Sequence, residues 1–148
     1  IAHPDKLVID IAGEASVLMT MQEMSTAVQY KLPIKIFILN NQYMGMVRQW
    51  QELLHEKNYS ESYTAALPDF VKLAEAYGCV GIQATKPDEL DEKINEMINI
   101  NEPVIFDCRV DPTENCFPMI PSGKPHNQML LGPEDEKEEV SDEGKTLV

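Results

Sequence analysis

Two short apolar segments, each followed at once by polar residues, flank an amphipathic stretch near the start of this chain. The first is residues 6–12 (KLVIDIA), bounded by Gly13, and the second is residues 34–39 (IKIFIL), followed by Asn40-Asn41. Between them, residues 18–30 carry apolar side chains at helical spacing. Because short apolar runs are typical of strands buried on both faces, the pattern predicts two parallel strands joined by a helix.

The same alternation of strands and helices continues as far as residue 110. Helical patterns cover residues 45–57, 69–77 and 85–100, and strand-like runs cover residues 79–84 and 103–110. Repeated strand–helix units favour a sheet whose strands run in one direction, with helices packed against it. We therefore predict an α/β fold with an open, mostly parallel sheet flanked by helices.

The domain organisation predicted from the sequence has three parts. Residues 1–111 form the α/β domain, and residues 112–133, rich in proline and glycine, form an ordered C-terminal extension. Residues 134–148 contain seven acidic residues and are expected to be a flexible acidic tail. Since the chain starts at Ile1 without a methionine and its first strand follows at once, we expect an N-terminally truncated piece of a longer chain.

Charge and composition exclude several classes of protein. The net charge of −13 argues against a nucleic-acid partner, which would require a basic surface. No apolar run approaches the roughly 20 residues that span a bilayer, and the start of the chain does not resemble a signal peptide. The three cysteines form no metal-binding pair, and Cys79 and Cys108 lie in apolar runs typical of buried thiols. We therefore expect a cytoplasmic protein without a membrane partner.

The turn after the first predicted strand has features of a phosphate site. Gly13 is expected to permit a tight exit from the strand, and Ser16 is predicted to cap the helix that follows. The backbone amides of Ala15 and Ser16 would then lie at a helix N-terminus, which attracts phosphate. Glu14 could bind a cation held by that phosphate, although an ordinary turn with a surface acid has the same pattern.

The end of the second predicted strand supplies further oxygen ligands. In a parallel sheet the carboxyl ends of the strands lie at one edge, where ligands bind. Asn41 would therefore lie near Glu14, and the backbone carbonyl of Tyr43 could provide a third protein oxygen. Such a set suits Mg²⁺, which prefers oxygen ligands and keeps positions for water and phosphate. Alternatively, Asn40 and Asn41 could simply cap a turn.

Several longer motifs make a resemblance to one enzyme family specific. Glu14 and Asn41 occupy the places of the thiamine-diphosphate signature, usually written Gly-Asp-Gly followed by Asn-Asn. The surrounding blocks resemble acetohydroxyacid synthase, also called acetolactate synthase, in its large catalytic subunit. These blocks are residues 23–29 (EMSTAVQ), 32–35 (LPIK), 45–51 (GMVRQWQ), 68–76 (PDFVKLAEA) and 119–123 (MIPSG). The resemblance covers nearly the whole chain except the acidic tail.

The resemblance implies a role for individual positions. Glu14, Asn41 and the Tyr43 carbonyl would bind Mg²⁺. The channel by which substrate approaches, and where herbicidal inhibitors bind in this family, would be lined by Trp50, Leu54, Ser122 and Gly123. Residues that would contact thiamine diphosphate are Gly13, Ala15, Ser16, Asn41, Tyr43, Gly45, Met46 and Val47. Without the resemblance, Met46, Val47 and Trp50 would be read as a core stripe of a helix.

The implied reaction condenses two pyruvates to acetolactate with release of CO₂. With 2-ketobutyrate as the acceptor the product is acetohydroxybutyrate, and both reactions belong to branched-chain amino acid biosynthesis. Family members bind FAD, mainly through a middle domain, and work as homodimers or homotetramers, in some cases with a small regulatory subunit. The glutamate that activates the cofactor belongs to an N-terminal domain, so no catalytic residue is expected here and these 148 residues alone should be inactive.

One position departs from the family pattern, and two alternatives remain open. The family usually has aspartate where this chain has Glu14, so weaker cofactor binding is expected from the longer side chain. Arg48 could meet a substrate carboxylate, but a solvated position on its helix is favoured. The alternatives are another thiamine-dependent enzyme, such as a pyruvate oxidase, a carboligase or a decarboxylase, and a non-catalytic domain of this fold.

Overall fold

The structure is a computed structural model that describes His3 and residues 5–133. Its strands are β1 (Ile9–Gly13), β2 (Lys35–Asn40), β3 (Val80–Ala84) and β4 (Val104–Arg109). Its α-helices are α1 (Glu14–Thr20), α2 (Met24–Gln29), α3 (Gly45–Leu54), α4 (Phe70–Tyr77) and α5 (Leu90–Asn99). The predicted acidic tail, residues 134–148, lies outside the described residues. Within the described part, no helix is both long and apolar enough to cross a bilayer.

The four strands form one parallel sheet in the order β1-β2-β4-β3. The last of these four strands in sequence, β4, therefore lies between β2 and β3, and β1 is at one edge of this sheet. This confirms the predicted α/β fold with an open parallel sheet. Because all strands point the same way, the residues that follow β1 and β2 lie at the same edge of the sheet.

Apolar side chains cover both faces of the sheet, as expected of strands that alternate their side chains. Along β4, Val104 and Phe106 belong to one buried cluster, whereas Ile105 belongs to the other. The Ile105 cluster includes residues of α1, α2 and α4, and the Phe106 cluster includes Met97 of α5. The helices therefore flank the sheet on both sides, which explains why its strands are apolar runs rather than alternating patterns.

The first helical region differs from the prediction in two respects. Instead of one helix over residues 18–30, α1 and α2 are separated by a 3₁₀ turn at Met21–Glu23. The prediction of Ser16 as the N-cap is wrong, because α1 begins at Glu14 and its N-cap is Gly13. The Ser16 hydroxyl instead donates to the Gly13 carbonyl (2.9 Å) and accepts from the Gly13 amide (3.0 Å). The Ser16 hydroxyl therefore binds the N-cap residue itself, and the first amides of α1 have no side-chain cap.

The ends of the other helices follow local chemistry. The predicted helix over 69–77 is α4, which Asp69 caps by accepting hydrogen bonds from the amides of Val71 and Lys72, both at 3.1 Å. Helix α4 ends at Gly78, which has φ of +83°, and this confirms the prediction that Gly78 is the C-cap. Helix α3 stops at Leu54 rather than residue 57, because residues 56 and 57 have positive φ values that are incompatible with a right-handed helix.

The chain divides into two compact units. The first comprises the described residues of Ile1–Tyr43 and Thr64–Pro112, and it contains the sheet with α1, α2, α4 and α5. The second comprises Met44–Tyr63 and the described residues of Thr113–Val148. Helix α3 and the segment after residue 112 therefore belong to one unit.

Two buried polar side chains of α3 hold the extension in the second unit. Arg48 is buried, pairs with Glu52 and donates to the carbonyl of Thr113 and the side chain of Asn115. The prediction of a solvated Arg48 is therefore wrong. Gln49, 1% exposed, accepts from the amide of Cys116 at 2.8 Å and donates to its carbonyl at 3.0 Å. These contacts fix the start of the extension by its backbone, which no local sequence pattern indicates.

Candidate functional site

Glu14 is the most unusual residue at the carboxyl edge of the sheet. It is the first residue of α1, directly after β1, and only 2% of it is exposed. Its Oε1 atom is buried and has no hydrogen-bond partner among the described residues. A buried carboxylate oxygen without a partner is costly, and such atoms are explained most simply by an ion or ligand that binds there.

The electrostatic surroundings of Glu14 act in opposite directions on its carboxyl group. Burial is the largest influence and raises its pKa above the usual value of 4.5, and the negative charge of Asp107 adds to that effect. Hydrogen bonds from the backbone amides of Glu14 itself, Tyr43 and Asn41 lower the pKa but do not outweigh burial. A cation at Oε1 would remove this cost, because it favours the charged form.

The turn that follows β2 brings the other predicted ligands to the same place. Asn41 and Tyr43 reach Glu14 through their backbone amides. The Asn41 side-chain oxygen also accepts a hydrogen bond from the Tyr43 amide at 3.2 Å. Between them, Gln42 has φ of +62°, in the left-handed region. Asn41 thus does close a turn, as the alternative interpretation proposed, and the three predicted metal ligands are neighbours all the same.

The structural reason predicted for glycine at position 13 is wrong. Its φ of −85° and ψ of 159° are ordinary extended values, so a tight exit from β1 does not require glycine. A Cβ atom added there would meet only the Ser16 hydroxyl, at 3.7 Å. The absent side chain leaves open space in front of the first turn of α1, where the amides of Ala15 and Ser16 lie.

The oxygens at this edge fit Mg²⁺ better than metals that require nitrogen or sulfur. No group of three or more His, Cys, Asp or Glu side chains that could hold a metal exists among the described residues. One carboxylate, one amide oxygen and one backbone carbonyl leave half of an octahedral shell for water and phosphate. The unpartnered Oε1 of Glu14 is the observation on which this fit depends.

The predicted ring-binding and channel residues all lie in the second unit. Gly45 begins α3, and the apolar side chains of Met46 and Val47 in its first turn are 55% and 42% exposed. Trp50 is half-buried and Leu54 is buried. Exposed apolar residues at a helix start do not match the core stripe that helical spacing alone would suggest.

Ser122 and Gly123 form part of a turn in the extension. The Lys124 amide donates to the Pro121 carbonyl at 3.1 Å, and Gly123 has φ of +79°, which favours glycine. Ser122 is half-buried and Gly123 is exposed. The antiparallel bridge between Met119 and Leu130 closes the segment around this turn.

Sequence reasoning missed a buried polar network beside the predicted metal ligands. Asp107, in the middle of the sheet on β4, is 1% exposed and accepts hydrogen bonds from Asn40 and Gln83 at 2.8 Å each. Arg109 lies 3.4 Å from the same carboxylate. The sequence did contain one indication of this network, namely an aspartate inside the apolar run of residues 103–110, because a buried charge requires hydrogen-bond or ion-pair partners.

Comparison with known proteins defines the class to which this fold and site belong. Residues 1–108 match the family model described as thiamine pyrophosphate enzyme, C-terminal TPP binding domain. The chain therefore belongs to the thiamine pyrophosphate enzymes, as a C-terminal TPP-binding domain. Among solved structures it is similar to a thiamine diphosphate-dependent 4-hydroxybenzoylformate decarboxylase of Rhodococcus jostii RHA1. That match has a TM-score of 0.68 and 28% identity, over 74% of this chain and 21% of the other.

Curated relatives narrow the class to one kind of enzyme. The chain is 44% identical to the acetolactate synthase large subunit of Haemophilus influenzae over 93% of its own length, and 49% identical to that of Cyanidium caldarium over 88%. It is 43% identical over 95% of its length to the mitochondrial acetolactate synthase catalytic subunit of Saccharomyces cerevisiae. These relatives confirm the resemblance drawn from the motifs. The chain spans 24%, 22% and 20% of their respective lengths.

Proposed function

We propose that this chain is the C-terminal part of an acetolactate synthase catalytic subunit. In this proposal the whole protein condenses two pyruvates to acetolactate with release of CO₂, or pyruvate with 2-ketobutyrate to acetohydroxybutyrate, in branched-chain amino acid biosynthesis. The identities of 41–49% to acetolactate synthases support it. The structural observation that carries it is the buried, unpartnered Oε1 of Glu14 beside Asn41 and Tyr43.

The sheet unit would hold the cofactor by its charged end. Glu14, the Asn41 side chain and the Tyr43 carbonyl would bind Mg²⁺, and Gly13 would leave room for the diphosphate. The amides of Ala15 and Ser16, in the first turn of α1, would donate to phosphate oxygens. Thiamine diphosphate, when bound, supplies the electron sink that allows a 2-keto acid to lose CO₂. The chain's own contribution is therefore to fix the position of that group and to neutralise its charge.

The resemblance assigns apolar contacts with the cofactor and substrate to residues of α3 and the extension. Met46 and Val47, exposed at the start of α3 next to Gly45, are suited to pack against the rings of the cofactor. Trp50, Leu54, Ser122 and Gly123 would line the approach for the 2-keto acid and for inhibitors. Gln49 supports this role, because it ties α3 to the extension that carries Ser122.

We also propose that the working protein is a longer polypeptide. On one face of the sheet, Ile9, Ile11 and Leu39 are 40%, 67% and 44% exposed. A contiguous apolar surface of this kind is usually covered by another part of the polypeptide or by a partner. The additional chain would supply the activating glutamate and the FAD site. The full-length subunit would work in the cytoplasm as a homodimer or homotetramer, with a small regulatory subunit as a further partner.

Product analysis of the natural polypeptide that contains these residues tests the proposal. Incubated with pyruvate, thiamine diphosphate and Mg²⁺, it should form acetolactate, and omission of either cofactor should abolish the product. The isolated 148 residues should form none. Acetaldehyde in place of acetolactate would contradict the proposal and favour a decarboxylase, the activity in the name of the solved relative. A folded full-length protein that gives no product would favour a non-catalytic domain.

A further inference from the structure

Asp107 is a buried charge at the centre of the sheet to which the proposed function gives no role. It lies on β4 directly opposite Ile38 of β2 and Gln83 of β3, and it is 1% exposed. The Nε of Arg109, 3.4 Å away, offsets part of its charge. A carboxylate that merely filled space here could be replaced by an apolar residue at little cost, so its hydrogen bonds are the feature to explain.

The hydrogen bonds of Asp107 fix the orientation of the neighbouring amides. Its Oδ1 accepts from Nδ2 of Asn40 at 2.8 Å, and its Oδ2 accepts from Nε2 of Gln83 at 2.8 Å. An ionised carboxylate can only accept hydrogen bonds, so Asn40 must present its NH₂ group to it. The side-chain oxygen Oδ1 of Asn40 therefore points away from Asp107 and accepts from the backbone amide of Gln42 at 3.2 Å.

That last hydrogen bond acts on a strained position. Gln42 has φ of +62°, a left-handed conformation that costs a non-glycine residue about 1 kcal/mol or more. Surrounding contacts must therefore hold Gln42 in this conformation, and the side-chain oxygen of Asn40 does so by accepting a hydrogen bond from the Gln42 amide. The residues on either side of Gln42 are Asn41 and Tyr43, whose oxygens are the proposed metal ligands.

We infer that Asp107 is a positioning residue that, through Asn40, holds the turn of residues 41–43 in the conformation that binds the metal. It touches neither metal nor substrate in this arrangement. It sets the polarity of Asn40, Asn40 anchors Gln42, and Gln42 sets the directions of Asn41 and Tyr43. The inference rests on the proposed function, because it assigns a role toward the same Mg²⁺ and diphosphate site.

An exchange of two residues separates this role from general stability. D107L removes both acceptors, so nothing then fixes which side-chain atom of Asn40 faces Gln42. N40D alone places two carboxylates against each other. The double variant N40D/D107N restores each of these hydrogen bonds, because the new amide donates to position 40 and accepts from Gln83, while the new carboxylate accepts from position 107 and from Gln42. Q83M is the matched control, since it removes the other hydrogen bond of Asp107 and leaves Asn40 in place.

The measurement is equilibrium dialysis of thiamine diphosphate against the full-length protein as Mg²⁺ is varied, together with thermal unfolding of each variant. We expect D107L to raise the Mg²⁺ concentration for half-maximal binding about tenfold or more, which corresponds to about 1.4 kcal/mol. The double variant should return to within about threefold of the wild type, and Q83M should stay within that range even where its Tm falls.

Three results would overturn the inference. The first is a D107L protein with wild-type Mg²⁺ dependence. The second is a Q83M protein that loses as much affinity as D107L at the same Tm, which would make Asp107 a stabilising residue only. The third is a folded N40D/D107N protein that still binds weakly, a test that holds even where D107L does not fold. A wild-type protein that binds no thiamine diphosphate would reject the proposed function as well, and so is distinguishable from these.

Discussion

The backbone amide of Tyr43 lies close enough to the carboxyl group of Glu14 to lower its pKa, although the two residues follow different strands. The contact exists because β1 and β2 are parallel neighbours, so their carboxyl ends meet at one edge of the sheet. It brings the turn after β2 against the first residue of α1, and it leaves Oε1 of Glu14 buried without a partner. The predictions below begin from this pair.

Replacement of Glu14 by glutamine should stabilise the metal-free protein near neutral pH. Burial raises the pKa of Glu14, so the folded protein binds this proton more tightly than the unfolded chain. The stabilisation that protonated Glu14 gives the folded protein is therefore fully present below the pKa of Glu14 in the unfolded chain. It is lost as the pH rises through the pKa of Glu14 in the folded protein. Thermal unfolding in a chelator should show E14Q gaining Tm relative to wild type as the pH rises above the usual Glu value of 4.5.

Addition of Mg²⁺ and thiamine diphosphate should reverse that order. The wild type should gain Tm and E14Q should not, because the amide lacks the charge that holds the cation. E75Q, which changes an exposed carboxylate on α4, is the control and should follow the wild type in both conditions. An E14Q protein stabilised by the cofactor as much as the wild type would remove Glu14 from the site.

Replacement of Glu14 by aspartate should tighten the dependence on Mg²⁺. Aspartate is shorter than glutamate by one methylene, and the octahedral shell of Mg²⁺ leaves little tolerance in ligand position. We expect E14D to lower the Mg²⁺ concentration for half-maximal activity of the full-length protein by about threefold or more. Unchanged or weaker activation would show that this chain has adapted its turn to the longer side chain.

Loss of the Gln49 side chain should loosen the extension. Q49L removes the hydrogen bonds to the backbone of Cys116 and to the sulfur of Met119, and it leaves the buried backbone groups unpaired, at a cost of about 2 kcal/mol. Hydrogen exchange over residues 113–131 should become about tenfold faster. Q51L, which removes one hydrogen bond to Ser60 from the same helix, should leave that exchange unchanged. Equal exchange in Q49L and wild type would contradict the conclusion that Gln49 holds the extension.

Gly81 should tolerate no side chain. A Cβ atom there would lie 2.8 Å from both Cα and the carbonyl oxygen of Val71, which are backbone atoms of α4. We therefore expect G81A to lower the free energy of unfolding by about 2 kcal/mol or more, measured by urea denaturation. G132A is the control, because nothing lies within 4 Å of the added atom, and its effect should stay within about 0.5 kcal/mol.

Much of the sheet could be predicted because each strand is a short apolar run between breaking residues. The strands were placed within about three residues of their observed ends, within the usual scatter for such boundaries. The order of the strands could not be predicted, because nothing local states that β4 lies between β2 and β3. The cap of α1 was misplaced because the helix begins at Glu14, ahead of the serine, and the Ser16 hydroxyl binds the Gly13 backbone from inside the first turn.

The site itself was predictable only in part. Glu14, Asn41 and Tyr43 could be connected because residues that follow neighbouring parallel strands share an edge. The partners of Asp107 and Gln49 could not be predicted, because they are distant in the sequence. Whether Met46 and Trp50 contact a ligand stays a prediction.

A crystal structure of the full-length protein with thiamine diphosphate and Mg²⁺ tests the central claim most directly. We expect the metal to lie about 2.0–2.1 Å from Oε1 of Glu14, the Asn41 side-chain oxygen and the Tyr43 carbonyl, with diphosphate oxygens completing its shell. The amides of Ala15 and Ser16 should face the phosphates. A cofactor bound with its metal away from Glu14, or Oε1 still buried without a partner beside a bound diphosphate, would contradict the claim.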